Sequence, residues 1–220
     1  MTGVHQLVTV ALHIMLKTMS HVSTDKSVPP VDGRSARRDR NRESVVDALL
    51  ELYGDGHMQP SLDLVAQRSG VSHRSVFRYF EDLNELDRVA IERFHERCAH
   101  LFEIPALGEG SLSARIERLV DQRLILHDAT ARVARVARMR APTHPVLAEN
   151  LVTNRDVLRR QMAAHFAVEF ELHESTTVLA VSALTSMETI DLMRSDHGSA
   201  CVRSALIDSL TSLLSPRDVQ

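Results

Sequence analysis

A glycine between two short segments of helical periodicity is the feature that most restricts the fold of this 220-residue chain. In residues 61–80, SLDLVAQRSGVSHRSVFRYF, the apolar positions from Leu62 to Ala66 fit one face of a first helix. Gly70 follows, and glycine readily adopts the left-handed backbone conformation that ends a helix. Ser72 is a favoured N-cap for a second helix. The stretch therefore predicts two helices around a tight turn, which is the layout of a helix-turn-helix.

The predicted second helix has an apolar side, with Val76, Phe77 and Phe80, and another side rich in hydrogen-bond donors. In this motif the N-terminal end enters the major groove first, where Arg74 can read a guanine through two hydrogen bonds. Arg78 is placed for a phosphate, and a solvent-exposed face without a ligand is the alternative for it. The candidate DNA-binding residues are Ser72, His73, Arg74, Ser75 and Phe77, with Arg42, Ser61, Arg78 and Tyr79 assigned to phosphates.

The flanking segments complete a head of four helices. Upstream, residues 41–56 carry apolar side chains at helical spacing and end in Gly54 and Gly56. Downstream, Asp82 precedes Glu85 by three residues, the spacing of a capping box that starts a further helix. Three short helices therefore lead directly into a longer fourth helix.

This arrangement resembles the DNA-binding head of the TetR family of transcriptional repressors. In the family Phe77 corresponds to a position that is usually Tyr, and Leu83 to a Lys that usually opens the fourth helix. Both differences remove a phosphate contact that the family makes, so they weaken backbone contacts without abolishing DNA binding. The resemblance covers about residues 40–95 and rests on Ser61-Leu62, Val65-Ala66, Gly70-Val71-Ser72 and Phe77-Arg78-Tyr79-Phe80.

The resemblance implies a dimeric repressor that binds a palindromic double-stranded DNA operator and is released by a small-molecule effector. In the family the last two helices pair with their copies in a second subunit, and residues 178–192 and 202–213 of this chain have suitable apolar periodicity. The alternative is that both helices only close the core of the monomer. The candidate interface residues of the homodimer are Val181, Leu184, Ile190, Val202, Leu206 and Leu210.

The resemblance also implies a ligand cavity in residues 89–215, the predicted ligand-binding and dimerisation domain. Every segment beyond the Pro- and Gly-containing loop at 103–111 has helical periodicity. A mainly apolar cavity with a few polar groups is the common form of such a site. For each candidate taken singly, an ordinary core position is the alternative. The candidate pocket residues are Leu126, His127, Met139, Asn154, Leu158, Met162 and Thr185.

The N-terminal part of the chain differs in composition from the rest. Residues 1–36 are predicted to be an extension outside the fold, which leaves residues 37–88 as the helix-turn-helix domain. The apolar run at 4–19 has no Lys or Arg before it and is too short and polar for a membrane span. A loosely attached helix, a disordered tail and an incorrectly assigned start codon are the alternatives for it. Segment 34–42 holds five arginines against one aspartate, a basic arm suited to DNA.

Composition favours an all-α fold, because 44% of the residues are hydrophobic whereas 4% are aromatic and none is Trp. The net charge of −3 excludes a uniformly basic nucleic-acid binder. Two cysteines, Cys98 and Cys201, make no disulfide framework and indicate the reducing cytoplasm. We expect no enzymatic activity, cofactor, metal or membrane partner, because no corresponding motif is present. The competing function is a helical scaffold or partner-binding protein with a degenerate DNA-binding head.

Overall fold

The computed structural model of the chain describes residues 33–172 and 175–215. These residues form ten α-helices and two short 3-10 helices and include no strand, so the predicted all-α class is confirmed. The α-helices are α1 (Gly33–Gly54), α2 (Leu62–Ser69), α3 (His73–Tyr79), α4 (Leu83–Cys98), α5 (Leu112–Arg140), α6 (Pro145–His165), α7 (Ala167–Leu172), α8 (Ser175–Leu184), α9 (Met187–Asp196) and α10 (Ser199–Leu214). The 3-10 helices are Ala99–Phe102 and Ala141–Thr143.

The described residues divide into two compact units. The head unit comprises residues 33–97 together with Arg132–Leu151, and the body unit comprises Cys98–Ala131 together with residues 152–215. These limits differ from the predicted ones at 36 and 88. Helix α1 already begins at Gly33, and α4 passes through residue 88 without a break. The remainder of the predicted extension, residues 1–32, lies outside the described residues.

The core of the head unit is apolar and comes from α1, α2, α3 and α4, with one contribution from the end of α5. The predicted periodicity of α1 is confirmed, since its apolar face is buried over the last three turns. Helix α4 begins at the predicted cap, where Asp82 Oδ1 accepts a hydrogen bond of 2.8 Å from the Glu85 backbone N–H. That bond lowers the pKa of Asp82. The most completely buried members are Val45, Leu49, Leu52, Val65, Val76, Phe80 and Leu86.

A buried polar group, the Asp87 cluster, lies beside this core and consists of Tyr53, Asp87, Arg140 and His144. Asp87 is 1% exposed and accepts hydrogen bonds from the Tyr53 hydroxyl and, at 2.8 Å, from Arg140 Nη2. His144 Nε2 lies 3.0 Å from the same carboxylate. Burial and the charge of Asp87 raise the pKa of Tyr53, which keeps its hydroxyl protonated as a donor. The cluster joins α1 and α4 to the segment around the α5–α6 connection.

One helix predicted for the body is divided in the structure, whereas the longest helix, α5, is unbroken. Helix α5 runs for 29 residues, from Leu112 to Arg140. The segment predicted as one helix over residues 178–192 is divided into α8 and α9. Ser186 causes the division, because its Oγ accepts a hydrogen bond of 3.2 Å from the Thr189 backbone N–H and so caps a new helix.

The six residues predicted for the dimer interface lie instead in the core of the body unit of one chain. Five are buried almost completely and Leu184 is half-buried, and all pack with side chains such as Ile116, Leu119 and Phe166. The physical reason is that the most apolar face of an amphipathic helix turns first to the core of its own chain. The residues placed in this core are Val181, Leu184, Ile190, Val202, Leu206 and Leu210.

Other faces of the same helices stay at the surface of the chain. On α8 an exposed face includes Thr176, Leu179 and Ala183, at positions i, i+3 and i+7. On α10 the corresponding face includes Cys201 and Ser204 and continues through Asp208 and Thr211. We call these residues the α8–α10 face. Its side chains are small or apolar except for Asp208.

Candidate nucleic-acid interface

The turn between α2 and α3 has the geometry that the sequence predicts. Ser61 caps α2, since its Oγ accepts a hydrogen bond of 3.2 Å from the Leu64 backbone N–H. Gly70 ends α2 with φ of 68° and ψ of 12°, a conformation that strains any residue with a Cβ. Ser72 precedes α3, but its side chain makes no capping bond and lies 3.0 Å from Ser75 Oγ instead. Gly70 therefore fixes the turn more firmly than Ser72 does.

Helix α3 exposes one of the two aromatic residues that the sequence named as DNA-binding candidates and buries the other. Phe77, predicted on the apolar side, is 49% exposed, whereas Tyr79, predicted to face phosphate, is 8% exposed. The reason is that α3 ends at Tyr79 and Phe80 is already extended, with φ of −139°. Val76 and Tyr79, three positions apart, thus form the buried face, and Phe80 reaches the core from outside the helix.

His73 is exposed but has two partners within the head unit. Its Nε2 lies 2.9 Å from Asp63 Oδ1 on α2, and its ring contacts Phe77 edge to face at 4.5 Å between centroids. Both side chains of the ion pair are largely exposed, and exposed ion pairs contribute little to stability. His73 can therefore leave Asp63 for another partner at low cost.

Arg74 and Ser75 occupy the first turn of α3, the end that the helix-turn-helix motif directs into the major groove. Arg74 is exposed, and no hydrogen bond, ion pair or ring contact ties its guanidinium to the described residues. Ser75 is half-buried. Arg74 is therefore the side chain of α3 that can extend furthest toward a base edge.

A group of cations surrounds the aromatic pair at the end of α3. The Arg42 guanidinium lies 4.9 Å from the centroid of Phe80, and the Arg78 guanidinium lies 5.3 Å from that of Tyr79. The hydrogen bond from Arg78 lowers the pKa of the Tyr79 hydroxyl, and the charge of Arg38 acts in the same direction. We call Arg38, Arg42 and Arg78 the basic ridge. Arg38 was not among the predicted DNA-binding residues, although its position one helical turn before Arg42 would have indicated it.

The basic segment 34–42 is helical and belongs to the first half of α1. Its arginines at 34, 37, 38 and 40 are exposed, and Arg42 is half-buried. The predicted basic arm is therefore an ordered continuation of the first helix of the head, at least over residues 33–42.

The predicted pocket residues do not all lie in the same unit. Met139 is 63% exposed and belongs to the head unit, so its assignment to a pocket in the body is wrong. Met139 lies on the exposed side of α5 that also carries Arg132 and Arg135, at positions i−7 and i−4. Of the remaining candidates in the body unit, Leu126, His127, Met162 and Thr185 are buried and Asn154 and Leu158 are half-buried.

Two side-chain contacts connect buried pocket candidates with other parts of the body unit. Thr185 Oγ1 lies 3.7 Å from Met162 Sδ, so α6 and the end of α8 meet at these residues. His127 Nε2 lies 3.2 Å from Asp191 Oδ1 on α9.

In residues 33–172 and 175–215 no three His, Cys, Asp or Glu side chains are grouped as for a metal ion. No helix in this part of the chain is long and apolar enough to cross a membrane.

Solved structures of transcriptional regulators share this fold. A tetR-family transcriptional regulator from Streptomyces coelicolor is similar with a TM-score of 0.63 and 19% identity, over 80% of each chain. A transcriptional regulator from Rhodococcus sp. Rha1 gives 0.60 and 22%, over 83% of this chain and 98% of that one. The multidrug binding protein EbrR, complexed with imidazole, gives 0.63 and 18%, over 88% and 100%. No protein-family model and no curated protein matches the sequence.

Proposed function

We propose that this chain, whose fold is that of TetR-family transcriptional regulators, is a dimeric DNA-binding repressor released from a palindromic operator by a small molecule. The observation that carries the proposal is the exposed guanidinium of Arg74 in the first turn of α3, beside the basic ridge. A cation free to reach a base edge and cations at the backbone are the two kinds of contact that specific DNA binding requires. A DNA-binding regulator acts where the DNA is, so we place the protein in the cytoplasm.

Within this proposal the two groups of arginines have different tasks. Arg74 reads sequence, because a guanidinium can donate two hydrogen bonds to a guanine in the major groove. Arg38, Arg42 and Arg78 bind phosphates, which position the head without carrying sequence information. Two residues of the ridge are stacked on aromatic rings, which limits the freedom that their side chains lose on binding.

The dimer follows from the geometry of DNA and from the α8–α10 face. A palindromic site presents two half-sites about 34 Å apart, and a two-fold dimer places two recognition helices at that spacing. The α8–α10 face is the surface we assign to the second copy. Small side chains such as Ala183 and Ser204 allow helices to approach closely, and Leu179 offers apolar area at the centre of α8.

The DNA-binding test starts from selection of bound genomic fragments by the purified protein. On an enriched site, Arg74→Ala should relax the preference at one base pair and cost about 1–3 kcal/mol there. Arg38→Ala should weaken binding to all sequences alike and reduce the slope of log K against log salt by about 0.9 per subunit. We choose Arg38 because Arg42 also packs on Phe80. Arg160→Ala, on the exposed surface of α6, is the control and should change neither property.

Uniform weakening by both Arg74→Ala and Arg38→Ala would contradict the division of tasks. Enrichment of no fragment would favour the alternative function, a helical scaffold or partner-binding protein with a degenerate head. Leu83 supports that alternative, since it is half-buried against the head core rather than available to a phosphate.

The dimer test compares two charged substitutions at exposed apolar positions. Leu179→Arg, on the α8–α10 face, should give a monomer in sedimentation at micromolar concentration. Val152→Arg, at an equally exposed position of α6, should leave the dimer intact. A wild-type protein that sediments as a monomer would refute the dimer. If Leu179→Arg still sediments as a dimer, the interface lies on another surface.

A further inference from the structure

The side chain of Arg123, on α5, is a buried cation in the interior of the body unit. It is 1% exposed and is the largest side chain that is completely enclosed in the described part of the chain. Burial lowers the pKa of this guanidinium to about 9. A guanidinium enclosed in this way requires compensation, because removing an ion from water costs several kcal/mol.

The partners of Arg123 among the described residues are all neutral. Its Nη1 donates to the side-chain oxygens of Gln122 and Gln161, the latter at 2.9 Å, and its Nη2 donates to the Leu158 backbone carbonyl at 3.0 Å. No carboxylate of residues 33–172 or 175–215 forms an ion pair with it. The neighbouring Arg115, by contrast, is paired with Glu169.

The two glutamines around Arg123 are fixed by further bonds. Gln122 Nε2 donates to the Leu101 carbonyl at 2.5 Å, and Gln161 Nε2 donates to the Phe102 carbonyl. Because each amide nitrogen is engaged with a carbonyl of the 3-10 segment Ala99–Phe102, each amide oxygen must face Arg123. The glutamines therefore hold the guanidinium in one position but supply no negative charge.

The guanidinium retains donors that these partners do not use. A guanidinium has five N–H groups, and Arg123 makes three hydrogen bonds, so two N–H groups are left. One of them is Nε–H, which is buried and has no hydrogen-bond partner. A carboxylate accepts two parallel N–H bonds from one guanidinium and carries one negative charge. It would satisfy the remaining donors and the charge together.

The surroundings of Arg123 favour an anion attached to an apolar group. Leu119 and Val120 precede Arg123 by one turn of α5 and so share its face, and both belong to the apolar core of the body. An organic acid matches this combination better than an inorganic ion.

We propose that Arg123 is the anchor for the carboxylate of a small apolar organic acid bound inside the body unit, held in place by Gln122 and Gln161. Its role as the effector that releases DNA rests on the function proposed above. The carboxylate displaces no existing partner of Arg123, because the three bonds that the guanidinium makes leave Nε–H and one further N–H group without an acceptor. The apolar part of the acid then contacts apolar side chains of the body, in place of contacts that these side chains make with one another.

The experiment titrates the full-length protein, without DNA, with straight-chain monocarboxylates from acetate to decanoate and with benzoate. The primary amide of each acid serves as its uncharged counterpart. We expect at least one carboxylate to bind about tenfold or more tightly than its amide, the effect of one lost charge-assisted pair. Absence of binding by every carboxylate at millimolar concentration, or equal binding of the amides, would overturn the proposal.

Variants then locate the site. Arg123→Met and Arg123→Lys should each weaken the bound carboxylate about tenfold or more, since the lysine keeps the charge but lacks the two-pronged donor. Arg118→Met is the matched control, because Arg118 donates only to the carbonyls of Ala106 and Glu109. If Arg123→Met does not fold, as judged by circular dichroism, Arg123→Lys decides. Unchanged affinity in Arg123→Lys refutes the anchor.

The outcome of the carboxylate titration can be distinguished from the outcome of the DNA-binding experiment. A protein that binds carboxylates through Arg123 but enriches no DNA keeps the anchor and refutes the repressor. A protein that binds DNA but no carboxylate keeps the repressor and refutes the anchor. When both occur, the bound carboxylate should weaken DNA binding about tenfold, a coupling of ordinary size, in the wild type only. Unchanged DNA affinity would refute the effector role.

Discussion

Arg140 in the head unit and Arg123 in the body unit are both buried, and they differ in how their charge is compensated. Arg140 meets the carboxylate of Asp87, the Tyr53 hydroxyl and, through Asp87, His144. Arg123 meets amide and carbonyl oxygens only. A buried cation with an opposite charge beside it is compensated, whereas one that has only neutral partners has capacity for an anion. The comparison suggests that Arg140 serves the architecture of the head and that Arg123 serves binding in the body.

The largest expected effect is that of Asp87→Asn, which removes the negative charge that compensates Arg140. Arg140 would then be buried without an opposite charge, a change that costs about 3–5 kcal/mol. The free energy of unfolding from urea titration measures the loss. Asp63→Asn is the matched control, because Asp63 is exposed and pairs only with the exposed His73. Equal losses of unfolding free energy in the two variants would contradict the structural role that the comparison gives to Arg140 in the head unit.

A second effect, of about 3 kcal/mol for each group, is expected from pH, because burial lowers the pKa of one histidine in each unit. Burial lowers the pKa of His95 in the head and of His165 in the body to about 4, against about 6.5 in the unfolded chain. As pH falls below 6.5 the unfolded state takes up protons first. Stability should therefore be constant above about pH 6.5 and decline toward pH 4.

Urea titrations between pH 7.5 and 4.5 follow this decline, and His95→Gln and His165→Asn should each flatten it in part. The two variants show which unit limits the stability of the chain. Glu169 and Asp82, whose pKa values are lowered by hydrogen bonds from Arg115 and from the Glu85 N–H, lose their contribution only at lower pH. A stability that rises as pH falls from 6.5 would contradict the assignment of neutral histidines.

The smallest stability effect is expected for Arg123→Gln. The variant loses three hydrogen bonds of about 1 kcal/mol each but also removes a charge whose burial costs several kcal/mol. The net change should be within about 2 kcal/mol, less than that of Glu169→Gln, which leaves Arg115 buried without its carboxylate. Thermal unfolding of the two variants compares them within the body unit. A loss from Arg123→Gln as large as that from Asp87→Asn would make Arg123 a structural centre like Arg140.

Local signals in the sequence predicted the elements around the helix-turn-helix correctly. Gly70 takes the left-handed conformation and Asp82 caps α4, because each depends only on atoms a few residues away. The cap predicted at Ser72 is the exception, since its side chain makes no capping bond. The division at Ser186 was missed for the opposite reason. Apolar periodicity continues from Val181 to Ile190 across it, so a single capping hydroxyl is the sole sign of a new helix.

The side chains of the site were harder to predict, because their orientation depends on where a helix ends and on what covers its apolar face. Phe77 is exposed and Tyr79 is buried because α3 ends at Tyr79, and the sequence does not mark that end. Periodicity identified the apolar face of α10 correctly, but it cannot distinguish the core of the same chain from a second chain. Arg123, in contrast, was visible as an arginine at an apolar position, three residues after Val120.

The two thiols of the chain differ in access, and the difference provides a spectroscopic probe. Cys98 is buried at the end of α4, whereas Cys201 is exposed on α10. Cys201 belongs to the α8–α10 face, so a second copy bound there would cover its thiol. A chromogenic thiol reagent applied to the native protein should therefore react slowly while the dimer persists, and should modify one site per molecule once dilution separates the subunits.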